Sequence, residues 1–221
     1  MLFDFHTHTT LSDGALLPME LIRRAIASGY TALGISDHVS ASTMERVIRE
    51  VRADCKLAAR YWDYIALVGV ELTHVPPASI PELAAEAKKL GAQYVVVHGE
   101  SPVEPVAPGT NLAACQCPDV DILAHPGLLS VEAAEAAAAN EVFLEITRRQ
   151  GHCLGNGLVA AIALQTGAAM LVNTDAHSPD DLLTEDFART VAVGAGLSPE
   201  QTERALIHNP KTLLARAGIE L

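Results

Sequence analysis

The sequence predicts an α/β fold built on a parallel sheet, and two observations carry that expectation. Strand-like apolar runs alternate with helix-like runs over nearly all of the 221 residues. Seven such units joined by right-handed crossovers bend into either a barrel or an open, doubly wound sheet. The chain is 49% hydrophobic and 19% charged, enough to bury one large core, so one domain over residues 1–221 is expected.

The strands are expected at residues 2–6, 32–36, 65–72, 93–98, 121–125, 142–146 and 169–173, where short apolar runs are bounded by turn residues. Helical periodicity fills the gaps at 18–28, 43–61, 80–90, 131–140 and 157–166, then at 180–193 and in a tail from 199 onward. Gly29 and Gly91 follow helices where a left-handed residue is expected, and Pro81 stands in a first turn. Residues 99–118 carry prolines at 102, 105, 108 and 118, which break a continuous helix. They are read as a long functional loop with one helical turn near Leu112. The apolar tail over 199–221 could close the bottom of a barrel or join a partner.

Composition excludes several classes of function. No stretch approaches the roughly 18 apolar residues of a membrane helix, and the first residues lack the basic region of a secretory signal. Four cysteines, Cys55, Cys115, Cys117 and Cys153, are too sparse for a disulfide scaffold and suit reduced thiols in the cytoplasm. Cys115-Gln116-Cys117 has no second pair nearby and reads as ordinary thiols. Asp and Glu number 27 against 15 Lys and Arg, a net charge of −12. That surface repels a long nucleic-acid backbone and favours a small substrate.

In parallel α/β folds the site gathers where strands end, and almost every unit here ends in a metal-binding type of residue. The first strand runs into His6-Thr7-His8, whose alternation points both imidazoles to one side. The following units end in Asp37-His38, Glu71, His98-Gly99-Glu100, His125-Pro126 and Asn173-Thr174-Asp175-Ala176-His177. Asp13 adds an oxygen in the turn Ser12-Asp13-Gly14, although an Asx turn would also use it. His6, His8, Asp13, His38, Glu71, His98, His125, Asp175 and His177 are therefore the candidate metal ligands. One ion would be oversupplied; two or three share the set if Glu71 bridges. Nitrogen and oxygen donors without thiolate suit zinc, manganese or iron. A lone strand-end histidine is often structural, but six together would each need a separate buried partner. Asp37 reads as a supporting or capping residue. Glu100 and Glu145 stay uncommitted. His74, His152 and His208 fall off the strand-end pattern, and His208 reads as a solvated helix residue.

These motifs, in this order and spacing, resemble the PHP (polymerase and histidinol phosphatase) family. They are Phe5-His6-Thr7-His8, Ser12-Asp13-Gly14, Ile35-Ser36-Asp37-His38, Gly69-Val70-Glu71, Val97-His98, Ala124-His125-Pro126 and Asn173-Thr174-Asp175-Ala176-His177. The resemblance implies a distorted seven-stranded (βα)7 TIM-like barrel. It implies one ion on His6, His8, Glu71 and Asp175, a second on Glu71, His98 and His125, and a third on Asp13, His38 and His177. Some relatives carry histidine where this chain has Asp13. The chain looks most like the free-standing members related to histidinol-phosphate phosphatase, so the expected activity is metal-dependent hydrolysis of a small phosphomonoester.

Glu71, Asp175 and His177 are the expected catalytic residues, with water activated by the ions as nucleophile and His177 or a metal-held water as acid. Arg148 and Arg149 follow the sixth strand, where a guanidinium could grip phosphate, and the resemblance favours Arg148. Three other readings stand beside this one. A nuclease or phosphodiesterase acting on short nucleic acids would use the same metals. An amidohydrolase would share the His-X-His and the last-strand aspartate. A silent metal-binding regulatory module would keep the ions without the chemistry.

Overall fold

The apolar runs do form parallel strands, and the computed structural model describes all of residues 1–221. In chain order the elements are β1 (Phe3–Asp4), α1 (Pro18–Ala27), β2 (Ala32–Ile35), β3 (His38–Val39), α2 (Met44–Trp62), β4 (Ile65–Leu72), α3 (Ile80–Leu90), β5 (Tyr94–His98), α4 (Thr110–Cys115), β6 (Ile122–Ala124), α5 (Val131–Asn140), β7 (Phe143–Thr147), α6 (Asn156–Thr166), β8 (Met170–Asn173), α7 (Glu185–Gly194), α8 (Pro199–Glu203) and α9 (Asn209–Arg216). The strands follow the order β1-β2-β4-β5-β6-β7-β8 with every pairing parallel.

The two edges of this sheet meet. Thr7 bridges Ala176 in parallel, and the His8 N–H donates to the Ala176 carbonyl at 2.8 Å. Seven parallel strands thus form a nearly closed barrel, which decides between the two arrangements that the alternating pattern allowed. The short β3 lies off this ring and pairs with β4, setting His38 beside Glu71.

One face of each strand fills the barrel. Phe3, Phe5, Tyr94, Phe143 and Leu171 pack in its interior, and Leu213 and Leu214 of α9 join the same cluster. The apolar tail therefore closes the bottom. The Tyr94 ring fits only because Gly34 and Gly69 face it: a Cβ at either would run into the ring. Gly34→Ala or Gly69→Ala is expected to cost about 1–3 kcal/mol by overpacking. Gly157→Ala, on α6 with open space around it, should gain roughly 0.5–1 kcal/mol. Urea unfolding of the three variants checks the contrast.

Gly29 and Gly91 adopt φ of 78° and 97° after their helices, as expected. The 99–118 loop contains α4, a six-residue helix that includes Leu112, where a helical turn is expected. One boundary differs from expectation. The helix expected over 180–193 is two pieces, a single 3-10 turn at Pro179–Asp181 and then α7. Ser178 donates N–H and hydroxyl to Asp181 Oδ2, both at 2.8 Å, closing the first piece. Thr184 Oγ1 then accepts the Phe187 N–H and caps the second. No helix is long and apolar enough to cross a membrane.

Candidate metal centre

The end of β1 supplies the first pair of ligands. His6 and His8 point to the same side with ring centroids 5.0 Å apart, and both are buried. Thr7, between them, turns the other way and donates its hydroxyl to the Gly34 carbonyl at 2.7 Å. Opposite stand Glu71, on β4, and Asp175, just after β8. His6 Nε2 lies 3.3 Å from Glu71 Oε1 and 3.6 Å from Asp175 Oδ1. His8 Nε2 lies 3.2 Å from Asp175 Oδ1 and 3.7 Å from Glu71 Oε2. Asp175 takes φ of 55°, a left-handed conformation that turns its carboxylate into the barrel mouth.

A second group adjoins the first. Asp13 Oδ1 is 3.4 Å from His38 Nε2 and 3.2 Å from His177 Nε2, and His8 completes the set. Asp37 holds the loop that carries Asp13: it accepts the Thr9 N–H at 2.7 Å and the Thr9 and Ser12 hydroxyls at 2.6 Å. It takes part in none of the ligand groups, in line with the supporting role expected of it.

His125 faces Glu71 Oε1 at 3.9 Å and Asp175 Oδ2 at 3.7 Å. It groups with His6 and Glu71, and also with His152 and Asp175. The His98 ring lies 4.5 Å from that of His125, and its ligand atom also comes together with those of His74 and Glu104.

Several buried residues that the sequence left without a role orient this cluster. Glu145, on β7, accepts from His6 Nδ1 at 2.7 Å, from Asn173 Nδ2 at 3.0 Å and from the His125 N–H at 2.9 Å. Asp4 accepts the His6 and Thr174 N–H groups at 3.2 Å and the Thr174 hydroxyl at 2.5 Å, tying β1 to the Asp175 turn. Both sit inside apolar strand runs, where an acidic residue gives no periodic signal. Glu100 instead stays in its loop, accepting the Gly109 and Asn111 N–H groups at 3.0 Å.

The donor atoms fit divalent cations on three grounds. His6 Nδ1 donates to Glu145, His98 Nδ1 to the Gly99 carbonyl at 3.1 Å, and His177 Nδ1 to the Asp175 carbonyl at 2.9 Å. In the neutral rings this leaves each Nε2 with its lone pair free for an ion. His6 Nε2, both nitrogens of His8, His125 Nδ1, Glu71 Oε1 and Asp175 Oδ1 are buried without hydrogen-bond partners, a state that buried polar atoms seldom tolerate. The separations of 3.2–3.7 Å are close to the roughly 3.0–3.4 Å edges of coordination polyhedra with bonds of about 2.1 Å.

The electrostatics agree. Burial pushes the Asp175 carboxyl up to about 7, with the Glu71 and Glu145 charges adding to the effect. Burial also acts to raise Glu71, but His6 and His38 hold it well below the usual carboxylate range. Burial, helped by neighbouring imidazoles, holds His8 and His125 well below the ordinary histidine value, in the neutral form that ligates. His6 goes the other way: burial would lower it, but the Glu145, Glu71 and Asp175 carboxylates raise it well above that value. A cation among these carboxylates takes over the role of that proton. All four cysteines are free, and none enters a ligand group.

The two arginines after β7 diverge. Arg148 donates Nη1 to Asp181 Oδ1 at 2.9 Å and Nη2 to the Asp180 carbonyl at 2.8 Å. It does not line the cleft of about 290 Å³ above the centre, whereas Arg149 does, together with Asp13, His177 and Asp175. The preference for Arg148 is corrected on this geometry, because Arg148 is committed to the 178–181 turn. His208 is exposed on the C-terminal helix, as expected. His74 and His152, which fall off the strand-end pattern, both line the cleft.

The PHP domain model matches residues 4–97. The uncharacterized protein MJ1295 of Methanocaldococcus jannaschii is 50% identical over 217 residues, 98% of this chain and 100% of that protein. The DNA polymerase/3'-5' exonuclease PolX of Bacillus subtilis is 26% identical over 193 residues, covering 79% of this chain but 34% of its own length. A chain of archaeal ribonuclease P with mature tRNA superposes with a TM-score of 0.74 at 13% identity, covering 97% of this chain and 90% of that one. A Bifidobacterium adolescentis protein described as a metal-dependent phosphoesterase gives 0.51 at 16% identity, covering 90% and 97%. At such identities the two superpositions speak to the fold alone.

Proposed function

The chain belongs to the PHP domain family, a family of metal-dependent phosphoesterases, and from that membership we propose that it hydrolyses a small phosphomonoester, histidinol phosphate or a compound like it. The observation that carries this reading is the set of buried, unpartnered nitrogen and carboxylate atoms converging at one mouth of the barrel. His6, His8, Glu71 and Asp175 would hold one ion, and Asp13, His38 and His177 another. His125 reaches toward Glu71 for a further ion. When bound, two or three divalent ions of zinc, manganese or iron supply Lewis acidity and a water of lowered pKa.

The chain's own groups set the rest. Glu145 fixes the His6 ring through Nδ1 and keeps its Nε2 turned inward. Arg149, whose guanidinium lines the cleft, presents N–H donors to the phosphate oxygens. The cleft has no hydrophobic lining, which suits a charged head group. The net charge of −12 disfavours a long polyanion. One domain over 1–221 and a cytoplasmic setting, suggested by the free thiols, belong to the same reading. A second reading, hydrolysis of phosphodiesters in short nucleic acids, is favoured by the likeness to PolX.

The test is hydrolysis of p-nitrophenyl phosphate, bis(p-nitrophenyl) phosphate and histidinol phosphate by protein reconstituted with Mn²⁺ or Zn²⁺. Monoester turnover that a chelator removes is the expected result, and preference for histidinol phosphate would name the substrate. Turnover of the diester alone would replace this reading with the second. No metal-dependent turnover of any of the three would leave a silent metal-binding module.

A further inference from the structure

The cleft above the metal centre carries two groups of opposite character that the ligand sets do not use. Once the candidate ligands are set aside, Thr73, His74, Glu104, Arg149 and His152 line it, with no apolar side chain. This remainder includes one guanidinium and one carboxylate. Arg149 Nε lies 3.8 Å from Asp175 Oδ2, and His125 Nε2 lies 3.7 Å from the same oxygen. The His125 ring centroid stands 4.4 Å from that of His152, whose Nε2 is 3.3 Å from Glu104 Oε1. Two candidate ligands, Asp175 and His125, thus stand between the guanidinium of Arg149 and the carboxylate of Glu104.

Local structure fixes Glu104 in that place. Glu100 folds the loop after β5 back on itself through the Gly109 and Asn111 N–H groups. Asn111 Nδ2 anchors it to the Pro126 carbonyl at 2.8 Å. A Cβ at Gly151 would meet Val103 Cγ1 at 3.1 Å, so the turn that carries His152 packs closely against the residue before Glu104. His98 and His74 complete the surroundings, with Nε2 atoms 3.1 Å and 3.5 Å from Glu104 Oε2. These imidazoles are ordinary ion-pair partners that aim the carboxylate into the cleft. The Glu104 side chain stays 37% exposed, and an ion pair so open to water is weak and readily exchanged.

We propose that Glu104 selects the substrate, binding an ammonium group on the organic part of a phosphomonoester whose phosphate Arg149 grips. An ammonium donates charge-assisted hydrogen bonds to a carboxylate, as the guanidinium does to phosphate, so one end of the cleft suits each end of an aminoalkyl phosphate. A cleft of about 290 Å³ admits a small molecule of this kind, and its lack of apolar lining offers nothing to a hydrocarbon tail. The net charge of −12 disfavours a substrate with a second anionic group in place of the ammonium. Histidinol phosphate, with its primary amine, belongs to the favoured class. This inference deepens the phosphomonoester reading above and rests on it.

The test measures kcat/KM of Mn²⁺-reconstituted protein on aminoethyl phosphate, propyl phosphate and phosphoglycolate, which differ in carrying a positive, no or a negative charge away from the ester. Glu104→Gln keeps the side chain's shape and removes its charge, while Glu104→Lys reverses it. The ratio of aminoethyl to propyl phosphate should fall at least about tenfold in Glu104→Gln, the worth of one charge-assisted contact. Differences in leaving-group chemistry cancel when that ratio is compared between proteins. Glu104→Lys should turn the preference toward phosphoglycolate. A merely structural role for Glu104 would lower all three substrates together and keep their order, and that result would overturn the inference. So would an unmodified protein that turns over the three at similar rates, with the phosphomonoester reading left intact. A protein that hydrolyses no monoester would overturn both.

Discussion

Replacing His6 and His8 together by alanine is expected to lower metal-dependent phosphomonoester turnover by about 10³-fold or more, equivalent to roughly 4 kcal/mol of barrel-mouth catalysis. The pair reaches both Asp175 and Glu71 within 3.2–3.7 Å, and His8 also belongs to the group with Asp13, His38 and His177. Three groups therefore lose a ligand at once. The loss should appear first in metal content, as fewer ions per chain after reconstitution, and then in turnover. Because the double change leaves Glu71, Asp175 and Glu145 with fewer buried partners, it also threatens stability. Asp175→Asn provides the control: it preserves shape, removes the carboxylate shared by two ligand groups, and should give a comparable loss. Full metal content with more than about a tenth of the activity in both variants would remove these residues from the reaction.

Much of this centre was legible because metal ligands at strand ends break a strong pattern. His6 and His8 follow an apolar run at a spacing of two, and Asp175 and His177 repeat that spacing on the last strand. The seven-strand count holds for a related reason: each run is short, apolar and bounded by turn residues. Glu145 and Asp4 escaped because they are single carboxylates within strands, where only the three-dimensional partner of each reveals a role. His74, Glu104 and His152 escaped because they come from loops whose approach depends on loop shape. The split of the 180–193 segment has a local cause: Asp181 imitates a helix-initiating acid, yet it caps Ser178 while Leu183 turns its N–H to the Tyr30 hydroxyl at 2.7 Å.

The arginine pair shows how far sequence position can mislead, and it makes a prediction with two arms. Arg149→Ala should lower kcat/KM for a phosphomonoester about 10–100-fold, the worth of one charge-assisted contact of roughly 1.5–3 kcal/mol. Its Nη1 lies 3.3 Å from the Asp175 carbonyl and 3.7 Å from Asp181 Oδ2, and Nε stays 3.8 Å from Asp175 Oδ2, so Nη2 remains for a phosphate oxygen. Lysine at this position should restore only part of the loss, since it keeps the charge but not the planar fork. Arg148→Ala should change kcat/KM by about threefold or less, within the range of a modest surface perturbation. Its guanidinium is spent on Asp181 and the Asp180 carbonyl, so its removal acts on the turn that holds the His177 N–H at 3.0 Å through Asp181 Oδ2. Steady-state kinetics on the two variants separates the roles. The reverse ranking, with Arg148 the costly loss, would mean that the 178–181 turn opens when substrate binds and hands Arg148 to the phosphate.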